Sequence, residues 1–157
     1  MSQKRQAGFT LIELMITVVI VAILASVAYP SYIQYVVRAN RSAAQSFMYA
    51  VANKQEQYML DARMYAGGSS VLTDLGITPA ADVGGKYDFS VTCTMPSSAG
   101  ACTVAAGAPS YVITATPKAG SAQARNDTAC AVLSLDSLGV KTAKNQAGAL
   151  VNASTCW

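Results

Sequence analysis

The sequence predicts an α+β fold: one long N-terminal helix packed on a four-stranded antiparallel sheet. Three observations predict it. An apolar run of membrane-spanning length lies near the start of the chain. A stretch with helical spacing of apolar residues continues it. Four short segments with strand patterning, separated by glycine, proline and polar turn residues, make up the rest.

Met1 to Gly8 is polar and carries Lys4 and Arg5. A secretory signal places its small-residue cleavage site after the apolar region. Here Gly8 comes before that region, so a cut at Gly8 would leave the apolar run on the mature chain. From Leu14 to Ala28 only Thr17 and Ser26 are polar. Phe9 to Tyr29 spans about 21 residues, close to the roughly 20 that a membrane helix needs. The basic leader favours the cytoplasmic side and sends the rest of the chain outward. Glu13 is the exception within the apolar run. Deep in a spanning helix a carboxylate costs about 2.5–3.5 kcal/mol, less near the interface or beside a positive partner. A cut after Gly8 would create such a partner, the amine of Phe9, and a neighbouring chain's amine reaches Glu13 more readily than the chain's own.

Pro30 is expected to kink the helix or open its hydrogen bonding locally. Beyond it, Ser31 to Arg63 is rich in good helix formers. Ala44, Phe47, Val51, Tyr58, Ala62 and Tyr65 form an apolar stripe, interrupted by Gln55. Phe9 to Tyr65 would make one helix of about 85 Å at 1.5 Å per residue, ended by Gly67-Gly68. Ser69 to Gly85 reads as a connecting loop. Tyr87 to Thr94 alternates, with Tyr87, Phe89, Val91 and Cys93 on one face. Thr94 to Gly107 is a loop of small residues, and Tyr111 to Thr116 is a second strand stopped by Pro117. After a polar connection, Cys130 to Leu135 and Val140 to Thr142 flank Asp136-Ser137-Leu138-Gly139 as a hairpin. Ala143 to Trp157 reads as an irregular tail.

The chain has 157 residues, of which 52% are hydrophobic and 12% charged. That charge fraction is about half of the usual soluble value. Beyond the apolar helix, roughly 120 residues suffice for one small domain. The net charge of +3 falls to about +1 without Lys4 and Arg5, so no global basic field points to nucleic acid. Histidine is absent, which removes the commonest general base and metal ligand. The four cysteines, Cys93, Cys102, Cys130 and Cys156, form no CxxC pair. An even count in an exported domain points to disulfides. Three connectivities exist, and proximity in sequence favours Cys93–Cys102 and Cys130–Cys156. Loop-closure entropy assigns these about 2.5–3 and 3–4 kcal/mol.

The run GFTLIELMITVVIVAILASVAYPSYIQYVVRANRSAA, from Gly8 to Ala44, resembles the N-terminal signature of type IV pilins. The resemblance implies a prepilin peptidase that cuts between Gly8 and Phe9 and methylates the Phe9 amine. It implies that Glu13 pairs with the N-terminus of a neighbouring subunit during assembly. The implied organisation is a leader at 1–8, a transmembrane assembly helix at 9–30, its amphipathic half at 31–66 and a globular β domain at 67–157. Cys130 and Cys156 match the pair that closes a C-terminal loop in the pilin fold. The implied partners are identical or related pilin subunits, the peptidase and an assembly platform. The implied location is the bacterial inner membrane for the precursor and an extracellular filament afterwards, serving adhesion, twitching motility or DNA uptake. Secretion pseudopilins share the signature, but the stretch from Gln55 to Tyr65 and the closed C-terminal loop look closer to pilus subunits. Two features depart from many pilins. Ala50 stands where a second proline is common, so helix melting in a filament should centre on Pro30. Cys93–Cys102 would be an additional bridge.

No catalytic set is evident. Asp82, Asp88, Asp127 and Asp136 read as turn formers and solvated charges. Gly67-Gly68 and Gly84-Gly85 lack the context of a phosphate-binding loop, and no cofactor or metal is implied. Asn126-Asp127-Thr128 and Asn152-Ala153-Ser154 match glycosylation sequons of low specificity. The tyrosines along the helix read as packing residues. Lys118, Arg125, Lys141 and Lys144 could form a basic stripe for DNA phosphates, with Trp157 and Tyr111 adding stacking. Some minor pilins act as DNA-uptake receptors, which makes a DNA-binding minor pilin the alternative reading.

Overall fold

The computed structural model describes residues 9–96 and 101–157. The leader, with Gly8 and its expected cleavage, lies outside the described residues. The chain divides into two compact units, Met1–Val36 and Val37–Trp157.

The first unit is helical over nearly all of its described length. Helix α1, Leu11–Ala62, begins in it. Its threonine and two serines after Glu13 turn their hydroxyls back onto the helix. Thr17 Oγ1 donates to the Leu14 carbonyl at 2.8 Å, Ser26 Oγ to Ile23 at 2.7 Å and Ser31 Oγ to Val27 at 3.2 Å. Such bonds satisfy polar groups that hydrocarbon cannot. Helix α1 runs through Pro30 without interruption. A proline removes a single backbone donor, here the partner of the Ser26 carbonyl.

In the second unit the rest of α1 packs on a six-stranded sheet, so the expectation of four strands is corrected. The strands are β1 (Tyr87–Met95), β2 (Thr103–Val104), β3 (Ser110–Pro117), β4 (Val132–Asp136), β5 (Lys141–Lys144) and β6 (Leu150–Val151). Their order is β2-β1-β3-β4-β5-β6. The four long strands are the four expected ones, and all pair antiparallel. The two additions are two-residue edges, too short to carry a period. β2 runs parallel to β1, with Thr94 opposite Thr103 and Met95 opposite Val104. The disulfide sets this register, since Cys93 and Cys102 lie side by side at a Cα separation of 4.7 Å. β6 returns on β5 through a turn in which Asn145 Oδ1 accepts from Ala149 N at 2.9 Å. The tail is therefore ordered, and the second disulfide, Cys130–Cys156, closes the segment containing it.

Four short helices occupy segments read as loops or tail: α2 (Val71–Asp74), α3 (Ala81–Gly84), α4 (Ala122–Asn126) and α5 (Ala153–Cys156). Ser121 caps α4 and Asn152 caps α5 through their side-chain oxygens. Capping occupies the Asn152 side chain that the sequon singled out.

The core lies between α1 and one sheet face. Ala44, Met48 and Val51 of α1 meet Val91, Ile113, Ala115, Leu133 and Leu135. Alternation holds along β1 and β3, where Tyr87, Val91, Cys93, Tyr111, Ile113 and Ala115 are buried. Phe47 meets Phe89 edge-on at 4.6 Å, and Tyr65 meets Tyr111 at 4.7 Å. Of the expected stripe, Ala62 is exposed, and the fully buried Met48 belongs to it instead.

Gln55, the apparent interruption, is wholly buried. Its Nε2 donates to the Ala66 carbonyl at 2.7 Å, and its Oε1 accepts from Ala66 N at 2.9 Å. The bracket folds the chain back as it leaves the helix. The helix ends at Ala62, with Arg63 at φ 55°, and not at Gly67-Gly68. Those glycines have another reason. A Cβ on Gly67 would collide with Cys93 Sγ, and one on Gly68 would come within 2.8 Å of the Ala101 Cβ. Gly67→Val should therefore destabilise the fold by about 1–3 kcal/mol through overpacking. A urea midpoint equal to wild type would refute that packing role.

Candidate functional site

The start of α1 is built by a reciprocal cap. Thr10 N and Thr10 Oγ1 both donate to Glu13 Oε2, at 2.9 and 2.7 Å, and Glu13 N donates to Thr10 Oγ1 at 3.3 Å. This is the Thr-x-x-Glu capping box, a signal present in the sequence and not used in its reading. It leaves Glu13 Oε1 with no partner among the described residues. The carboxylate is thus half satisfied by its own chain and half available. Phe9 next to it is 90% exposed. From Phe9 to Val27 every large apolar side chain is at least half exposed, the least being Ile20 at 51%. A surface of this extent without polar cover requires lipid or protein against it.

The four cations chosen from the sequence do not form one stripe. Strand alternation puts Lys141 and Lys144 on opposite faces of β5. Lys141 lies on the face of buried Ala143. Its ammonium sits 5.6 Å from the ring centres of both Tyr49 and Trp157. Lys118 pairs with Asp88 at 3.4 Å, and Arg125 Nη1 donates to the Gly120 carbonyl. Lys144 is exposed. The chain neighbours of Lys118, Arg125 and Lys144, namely Pro117, Ala119, Ala124 and Asn145, do line one open groove of about 270 Å³. None of the four cations is itself among the residues that line this groove, and Lys141 stands apart beside the Tyr49 and Trp157 rings. Tyr111 is a core residue, 3% exposed, and offers no stacking face. Burial first, then the charge of Glu56, holds its phenol well above the ordinary pKa.

A buried polar cluster escaped the sequence reading. Asp127 is 2% exposed and accepts from Arg41 Nε at 3.0 Å and Arg41 Nη2 at 2.5 Å. Gln123 Nε2 donates to Asp127 Oδ2 at 2.9 Å and to the Val37 carbonyl at 3.2 Å. Asn40 Nδ2 donates to Gln123 Oε1 at 3.0 Å, and Lys86 Nζ to Asn40 Oδ1 at 2.7 Å. The Tyr87 hydroxyl is buried alongside without a partner among the described residues. Burial first, then the Asp127 charge, pushes its pKa far up. Asp127 is thus not a solvated turn former. It ties the start of the second unit's helix to α4. No local pattern could have shown this, because the partners are 86 residues apart.

A family model described as a prokaryotic N-terminal methylation motif matches residues 3–29. Relatives include a type IV major pilin protein of Myxococcus xanthus, 34% identical over 64% of this chain and 41% of the relative. A fimbrial protein of Neisseria meningitidis is 40% identical over 55% and 49%. A type IV wide pilus major component of Thermus thermophilus is 37% identical over 49% and 60%. The matches span about half the length of these relatives. A second model, described as "Type IV minor pilin ComP, DNA uptake sequence receptor", matches residues 30–134. With more than half of its length matched to that model, the chain belongs to this family of type IV pilins.

Proposed function

We propose that this chain is a subunit of a type IV pilus that polymerises through its N-terminal helix into a surface filament. The carrying observation is the exposed apolar surface of α1 from Phe9 to Val27, headed by a carboxylate whose Oε1 has no partner among the described residues. In this reading the precursor sits in the inner membrane with residues 9–30 as its span. A prepilin peptidase removes residues 1–8 and methylates Phe9. The assembly platform then moves the subunit into the filament, where apolar packing drives association. Glu13 Oε1 accepts from the Phe9 amine of a neighbour and sets the axial register. Residues 31–66 and 67–157 form the outer, globular part. Relatives named as pilins and fimbrial proteins support a structural rather than an enzymatic role.

Mass spectrometry of filaments sheared from cells tests this. The expected result is the chain present in filaments, beginning at methylated Phe9, with Gly8→Arg retaining the leader. Absence from filaments, or an intact Met1 in them, would overturn the reading. Abundance separates a major subunit from a minor one.

A second reading, a minor subunit that captures DNA, is favoured by the family's description and by the place of Lys118, Arg125 and Lys144 next in sequence to residues that line one groove. Lys118→Glu with Lys144→Glu should weaken duplex binding and reduce the slope of log affinity against log salt by about 2, near 0.9 per lost phosphate contact. An unchanged slope would leave these lysines as solvated charges.

A further inference from the structure

Residues 155–157 lie along one face of α1 in step with its turns. Arg41 Nη1 donates to the Thr155 carbonyl at 3.5 Å. One turn on, Gln45 Nε2 donates to the Cys156 carbonyl at 2.6 Å. One turn further, the Tyr49 ring meets the Trp157 ring edge-on at 6.2 Å. Positions 41, 45 and 49 share a helix face by their four-residue spacing, and they take up 155, 156 and 157 in order. The sheet holds the other side. Trp157 Nε1 donates to the Thr142 carbonyl at 3.0 Å, and Lys141 lies against both rings. None of these contacts involves a cysteine sulfur.

We propose that α1 grips residues 155–157 as a noncovalent strap and thereby delivers Cys156 to Cys130. The disulfide then locks a position that side chains have already set. Gln45 is the positioning residue, because its bond fixes the backbone of Cys156 itself. The consequence is a closed segment that keeps its place when the bond is absent, and a bond that forms quickly because its partners are already neighbours. Preorganisation of this kind raises effective concentration without adding any contact to the reacting atoms.

Trp157 is the one tryptophan of the chain, so its fluorescence reports the strap directly. The test uses the full chain in detergent, with acrylamide as quencher. Cys130→Ser with Cys156→Ser should leave Trp157 as protected as in the oxidised wild type. Quenching at the level of the urea-unfolded chain, with far-ultraviolet circular dichroism unchanged, would overturn the proposal. Should that variant lose its fold, a second arm decides. Gln45→Ala, reduced and then reoxidised by oxidised glutathione, which takes the two electrons and leaves as two reduced thiols, should form Cys130–Cys156 about fivefold more slowly than wild type, the weight of one hydrogen bond. Formation of Cys93–Cys102 should keep its rate. Equal rates for Cys130–Cys156 in both proteins would show that the sulfurs meet without the strap and would refute it.

Discussion

Replacing Glu13 by Gln is expected to leave the subunit inserted and its helix capped, yet to abolish most filament formation. The capping box accepts Glu or Gln at its third helical position, so the bonds that Thr10 makes to Glu13 Oε2 have a counterpart in the variant. What Gln lacks is the negative charge of the carboxylate. A hydrogen bond to a charged group contributes about 1.5–3 kcal/mol, and every subunit added to a filament would lose it. At 1.4 kcal/mol per factor of ten, assembly should fall about tenfold or more. Glu13→Ala removes cap and charge together. It should match Gln in assembly and also lose the two bonds that Thr10 makes to the Glu13 side chain, seen as fraying of the first turn. The measurement is the amount of sheared filament relative to membrane-inserted subunit. Wild-type filament from the Gln variant, with loss only in Ala, would assign Glu13 to capping alone.

The parts of this molecule that could be read from sequence are those with a period. The apolar run gave α1, and two-residue alternation gave β1 and β3 with their buried faces. Asp136 and Gly139 gave the β4–β5 hairpin. There Asp136 Oδ1 accepts from Leu138 N and Val140 N, and Gly139 takes φ 78°. The parts that could not be read depend on distant partners. β2 exists because a disulfide lays Thr103 beside Thr94, and no pattern in Thr103-Val104 announces it. Gln55 looked like a flaw in an apolar stripe, and its purpose lies eleven residues on, at Ala66. Gly67 looked like a helix stop because glycine serves both as cap and as clearance, and only the position of Cys93 tells the two apart. The basic residues show the converse failure. Neighbours in sequence were read as neighbours in space, but pleating divides Lys141 from Lys144. The Thr10–Glu13 box was legible, since both residue types stand at the required spacing.

Asp127→Ala should be among the most destabilising single changes in the second unit. Asp127 is buried, and its loss strands the Arg41 guanidinium, whose side chain is only 12% exposed. Gln123 Nε2 would keep only its bond to the Val37 carbonyl. Breaking one side of a buried ion pair costs about 3–5 kcal/mol, because the remaining charge stays desolvated. That is a large share of the 5–15 kcal/mol that holds a typical domain together. The pair itself need not contribute much. Charges removed together take their desolvation cost with them, so Arg41→Met combined with Asp127→Leu should lie well above the sum of the single changes in stability. Urea unfolding of wild type, Arg41→Met, Asp127→Leu and their combination, followed through Trp157 fluorescence, measures the coupling, with Asp127→Ala measured beside them. A loss below about 1 kcal/mol for Asp127→Ala would place the pair in the range of exposed salt bridges. A strictly additive cycle would mean that Arg41 and Asp127 act separately, Arg41 through Thr155 and Asp127 through Gln123. A strongly non-additive cycle is expected, because the same two atoms of Asp127 meet both nitrogens of the Arg41 fork. Within the second unit that geometry ties Arg41 of α1 to Asp127 at the end of α4.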